Sequence, residues 1–169
     1  MKILYAEAVL SIYSSLEDII YEIDNIVLKR ALNSMDDCSP ALTQCERVID
    51  LIKEKDLLIN LFLSADKAIF SFENDDRVLL EYKYFRSCEK ERYAYIDYKS
   101  RAYFRRQNAL LEKFSKKMNK LGFTDEYFEK HYLTIDFIKN TVKKIIRKSI
   151  KEVNVKKEKP HYAEKKISA

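Results

Sequence analysis

A single glycine, with only two prolines beside it, is the feature that most limits what this chain of 169 residues can become. Glycine supplies the positive-φ positions that tight hairpin turns require, so a sandwich or barrel with many such turns cannot be written in this composition. The same scarcity excludes a phosphate-cradling P-loop and a dinucleotide fingerprint, both of which need several glycines. What remains is helix. Apolar residues at 47 % and charged residues at 35 % suit helices with one buried stripe and one solvated face, in one ordinary domain or two very small ones. The expected fold is all-α: a multi-helix bundle with a long N-terminal helical hairpin and a degenerate helix-turn-helix in its basic half.

Apolar periodicity sets out the elements. From about Lys2 to Leu32, Val9, Ile12, Leu16, Ile19, Ile23 and Ile26 return at steps of three and four, which predicts one long amphipathic helix with Glu17, Asp18, Glu22 and Asp24 opposite. After a polar loop at Asn33 to Asp37, Ser39 as N-cap and Pro40 at the first helical position start a second series: Cys45, Val48, Ile49 and Ile52, then Leu57, Leu58, Leu61, Phe62 and Ala65. The polar patch Lys53 to Asp56 leaves one helix or two open. Residues 1–72 thus read as an acidic helical hairpin whose stripe is buried within the chain or against a second copy. Asn74 caps a helix over 75–85 that buries Val78, Leu79, Tyr82 and Phe85; a weak helix is expected at 89–96 and a turn at 97–99. Ser100 caps a helix that runs to Leu121, where Gly122 stands at the C′ position. Thr124 and Thr134 cap two further helices, with Phe123 stapling onto Phe128 and Leu133 onto Ile138. The last helix is expected to bury Ile135, Ile138, Val142, Ile145 and Ile146, so the basic helical unit covers 73–153 and a disordered basic tail 154–169.

Charge divides the chain more sharply than composition does. The net +5 conceals a net −7 over residues 1–85, with 9 basic against 16 acidic side chains, and a net +12 over residues 86–169. A basic half invites a polyanion: duplex DNA first, an anionic membrane surface second, with a merely solvated lysine face as the bland alternative.

The helix from Ser100 concentrates that charge usefully. At about 100° per residue, Tyr103, Gln107, Leu110, Leu111, Phe114, Met118 and Leu121 share one third of the wheel and form the core stripe. Opposite lie Arg101, Ala102, Arg105, Asn108, Ala109, Glu112 and Lys116. Arginine and asparagine are the side chains that read guanine and adenine edges, and alanine lets a helix sit close to DNA. Arg106, Lys113 and Lys117 flank this face at positions suited to phosphates, so Arg101, Arg105 and Asn108 are expected to read bases and the flanking cations to hold the backbone, with Lys116 in the same DNA-binding set. The order helix, weak helix, short turn, basic helix matches a helix-turn-helix.

The run Ser100-x-x-Tyr103-Phe104-Arg105-Arg106-x-x-Ala109-Leu110-x-x-x-Phe114 resembles the recognition helix of small phage late transcription regulators of the ArpU and RinA type, which in turn resemble region 4 of sigma factors. Arg77-Val78-Leu79-Leu80-x-Tyr82-x-Tyr84-Phe85 resembles the helix preceding the motif in that group, so the likeness spans about 75–118. Asp97 and Lys99 stand where the group carries apolar residues before the serine. The resemblance implies a DNA-binding transcriptional regulator, with RNA polymerase or a second copy as protein partner, and not a complete sigma factor. Its rival is a helical scaffold or adaptor acting through protein contacts alone.

Little else in the sequence carries chemistry. The tyrosines and phenylalanines between Tyr82 and Phe104 interleave with arginine and lysine and suit unpaired bases, but aromatic residues at helical spacing first suit a small core. His131 and His161 are too few and too far apart for zinc, and no carboxylate pair leaves a polar face. Cys38, Cys45 and Cys88 show no C-x-x-C spacing, and Cys45 reads as a small core residue. No enzyme, cofactor or metal is expected, and reduced cysteines with no secretory signal point to the cytoplasm. Leu57 to Phe70, the most apolar stretch, is interrupted by Asn60, Ser64, Asp66 and Lys67 and falls short of the ~20 residues that span a bilayer.

Overall fold

The computed structural model describes residues 1–32, 40–85 and 100–157, the last seven of these as backbone only. Six helices and no strand make up the described residues: α1 (Ile3–Leu32), α2 (Ala41–Phe70), α3 (Asn74–Leu80), α4 (Arg101–Lys120), α5 (Asp125–His131) and α6 (Asp136–Lys157), with a π-helical turn, Glu81–Phe85, continuing α3. The all-α bundle read from the periodicity is the fold.

α1 and α2 form the expected hairpin. Their antiparallel course is fixed by two side-chain pairs: Tyr13 donates its hydroxyl to Asp66 at 2.5 Å near one end, and Lys55 pairs with Asp24 at 2.6 Å further along. α2 runs unbroken through Lys53 to Asp56, because Leu51 and Leu58 bracket that patch on the same inward seam. Pro40 occupies the cap position of α2 rather than its first turn, its carbonyl accepting from the Gln44 amide at 3.2 Å. Ser39, expected to cap this helix, lies outside the described residues.

The charge boundary is not a packing boundary. α1 packs against α2, α4, the π-helical turn and α6. Buried side chains of the acidic hairpin, among them Val9, Leu10, Leu16, Leu58 and Leu61, join Leu80, Leu110, Phe114, Phe128 and Ile138 of the later helices in one core. Aromatic rings mark the contacts: Tyr13 stacks on Phe62 with centroids 5.4 Å apart and meets Phe85 at 4.9 Å, while Tyr5 stacks on Phe128 at 4.8 Å. Tyr132, fully buried, donates its hydroxyl to the Leu57 carbonyl at 3.1 Å and so ties the α5–α6 junction to α2.

Helix ends follow the sequence in part. Ser100 accepts the Tyr103 amide at 3.1 Å and Thr124 accepts the Tyr127 amide at 3.2 Å, both as N-caps. Gly122, at φ 96°, closes α4 in a Schellman arrangement: its amide donates to the Asn119 carbonyl and that of Phe123 to the Met118 carbonyl, each at 3.1 Å. Phe123 is buried there against the rings of Tyr127 and Tyr132. Two expected caps are displaced. Asn74 is the first residue of α3, with Glu73 in the cap position and no side-chain bond. Thr134 donates its hydroxyl back to the His131 carbonyl at 2.9 Å, so it closes α5 instead of opening α6.

Four other expectations need correction. The helix over 75–85 ends at Leu80 and widens into the π-helical turn, which carries Tyr82, Tyr84 and Phe85 half-buried. Cys45 is exposed, because the inward seam of α2 passes through Val48 and Leu51 instead. On α6, Ile138 and Val142 are buried but Ile146 is 40 % exposed, because the helix projects past the core. α6 also continues to Lys157, so residues 154–157 of the expected tail are helical. The helix at 89–96, the turn at 97–99 and the tail from 158 onward lie outside the described residues. No helix among the described residues is long and apolar enough to cross a membrane.

Candidate nucleic-acid interface

α4 sorts its side chains into three strips, and the sorting follows from what each strip meets. The inward strip, Gln107, Leu110, Leu111, Phe114, Ser115 and Met118, is buried against α1, α2 and α3. Gln107 lies among these apolar residues because its amide donates to the Leu79 carbonyl at 2.7 Å, satisfying a carbonyl where α3 widens. Ser115 donates its hydroxyl to the Met1 carbonyl, which fastens the start of the chain to the same helix. Tyr103 is half-buried edge-on to Tyr82, and burial pushes its phenol up. Leu121, expected on this strip, is 37 % exposed at the C-cap.

The second strip holds three of the six cations singled out in the sequence, and all three are engaged. Arg106 grips one carboxylate oxygen of Asp76 through Nε at 3.1 Å and Nη2 at 2.8 Å. Lys113 reaches the other oxygen at 3.4 Å. Lys117 donates to Ser71 Oγ at 2.6 Å and lies over the Phe72 ring, 4.7 Å from its centroid. Asp76 is the hub. Its side chain is only 11 % exposed, a position a carboxylate holds when cations answer it. In the sequence Asp75 and Asp76 suit an acidic first turn of α3; the signal that Asp76 does more is its i+2 and i+3 neighbours Val78 and Leu79, which turn that side of α3 inward.

The outward strip is open. Arg101, Ala102, Arg105, Asn108, Ala109, Glu112 and Lys116 are all exposed, and among the described residues Arg101, Arg105, Asn108 and Lys116 find no hydrogen-bond or ion-pair partner. Phe104, 58 % exposed, stands beside them with its ring edge-on to Tyr103 at 5.3 Å. The structure therefore keeps Arg101, Arg105 and Asn108 together on one free face and separates Arg106, Lys113 and Lys117 from them by binding these to α2 and α3. A second exposed basic surface lies on α6, where Lys139, Lys143, Lys144, Arg147 and Lys148 face solvent. Among the described residues no group of histidine, cysteine and carboxylate side chains is placed to hold a metal ion.

No protein-family model matches this chain, and neither the curated proteins nor the solved structures provide a match.

Proposed function

We propose that this chain is a DNA-binding transcriptional regulator that engages duplex DNA with the outward face of α4. The observation that carries the reading is the contrast within one helix: Arg106, Lys113 and Lys117 are bound to Asp76 and Ser71, while Arg101, Arg105 and Asn108 stand exposed with no partner among the described residues. Two arginines and an asparagine at i, i+4 and i+7 form a column that reaches one groove, and Ala102 and Ala109 beside it leave room for close approach. The capped N-terminal end of α4 leads, as in recognition helices. Backbone contact falls to Lys116, with Arg106 and Lys113 joining only where a phosphate displaces Asp76.

A salt titration tests this. Binding of the full chain to a mixed-sequence duplex is expected to weaken steeply with salt, by a slope of about 0.9 per phosphate neutralised. Arg105→Ala is expected to weaken it by roughly 10- to 100-fold at fixed salt, the worth of one good arginine–base contact. Absence of binding at low salt removes the reading and leaves a helical scaffold; binding confined to vesicles of anionic lipid transfers the role to the basic face of α6.

A further inference from the structure

α2 carries two apolar seams, and the fold uses one. The inner seam, Leu51, Leu58, Leu61, Ala65 and Ala68, faces the core. About 160° around the helix runs a second series at strict steps of three and four: positions 42, 45, 49, 52, 56, 59, 63, 66 and 70. Seven of these nine are apolar, and Leu42, Ile49, Ile52, Leu63 and Phe70 are each more than 40 % exposed. The two polar members are Asp56 and Asp66, of which Asp66 already accepts from Tyr13. A heptad seam over four repeats, interrupted at Asp56 and Asp66, is the pattern by which one helix packs knobs into the holes of another. The fold engages this seam only near its end, where Asp66 accepts from Tyr13 and the Phe70 ring lies 5.7 Å from the Arg77 guanidinium among the described residues.

We infer that α2 is the interface of a homodimer in which the outer seams of two copies pair antiparallel. A seam of this spacing is filled by a helix of the same spacing, and the chain supplies one in its second copy. Charge fixes the direction. The flank after each second seam position, Glu46, Lys53, Asn60 and Lys67, is exposed, while the opposite flank, Val48, Lys55, Phe62 and Ile69, is turned into the chain's own fold. A parallel pair sets one kind of flank against the other and so needs both; an antiparallel pair sets the free flank against its own copy. The free flank is acidic at its start and basic at its end, so the antiparallel pair brings Glu46 of each copy beside Lys67 of the other, twice. The inference stands apart from DNA binding, since no residue of α4 takes part.

Analytical ultracentrifugation of the full chain, without DNA, tests it. A concentration-dependent dimer is expected, and Ile49→Glu with Leu63→Glu should raise its dissociation constant at least ~100-fold while helicity stays unchanged, since both residues are exposed. Glu46→Lys alone and Lys67→Glu alone should each weaken the dimer several-fold, and the two together should restore it. A chain that stays monomeric at about 100 µM, or a dimer indifferent to the seam variants, overturns the inference. A dimer locked by a Cys45–Cys45 disulfide in a Cys38→Ser, Cys88→Ser background also overturns it, since only parallel helices bring these thiols together.

Discussion

Glu129 and Asp76 are two of the carboxylates that join the early and late parts of the chain across their shared core. Glu129 accepts from Lys2 Nζ and from the Tyr5 hydroxyl, each at 2.6 Å, and these bonds hold its carboxyl below the ordinary 4.5 while raising the Lys2 ammonium above 10.5. A lowered carboxylate stabilises the fold fully above pH 4.5 and loses that contribution as pH falls through the lowered value; a raised ammonium loses its share as pH rises past 10.5. Glu129→Gln should therefore flatten the acid limb of a stability–pH curve measured by urea midpoints and leave the limb between pH 5 and 8 parallel to that of the parent. Glu54 moves oppositely: burial and the Asp136 charge raise its carboxyl, so Glu54→Gln is expected to raise the thermal midpoint at pH 7, with the gain fading on acidification. Asp76 links stability to binding. Asp76→Asn should cost about 1–2 kcal/mol, a figure kept low because Arg106 and Lys113 are half-exposed, and should tighten low-salt DNA binding by releasing both cations.

The helices themselves were legible because their signals are local. Ser100, Thr124 and Gly122 do what their types and positions imply, since a cap is decided by a few neighbouring residues. Gly122→Ala should cost about 1 kcal/mol through backbone strain alone, because an added Cβ there meets no atom within 4 Å. Ser100→Ala should cost a similar ~1 kcal/mol and fray the end of α4 that bears Arg101, which amide exchange at Tyr103 would detect. Thr134 follows an apolar residue as Thr124 does, but Ile135 and not an acidic residue comes next, and its hydroxyl bonds back to the His131 carbonyl. What the periodicity did not convey at all was non-local. The π-helical turn that continues α3 sets Phe85 against Tyr13 across the core, and no spacing within 74–85 announces that.

At the scale of the molecule the split into acidic and basic halves was correct as arithmetic, but the two halves share one hydrophobic core. Charge reports what a surface offers to solvent and partners; packing is decided by apolar stripes, and those of α1 run past the charge boundary to α4 and α6. The candidate site was half legible for the same reason. A helical wheel separates inward from outward, so it found Arg101, Arg105 and Asn108, but it cannot tell which flanking cations meet a buried acid from another helix, and so it missed the binding of Arg106 and Lys113 by Asp76. The most direct test maps the face. In a titration of the isotopically labelled chain with a mixed-sequence duplex at low salt, amide shifts should move first and furthest over residues 101–109, with the buried strip of α4 and the outer face of α2 unmoved. Shifts confined to α6, or none anywhere while the chain stays folded, would contradict the account.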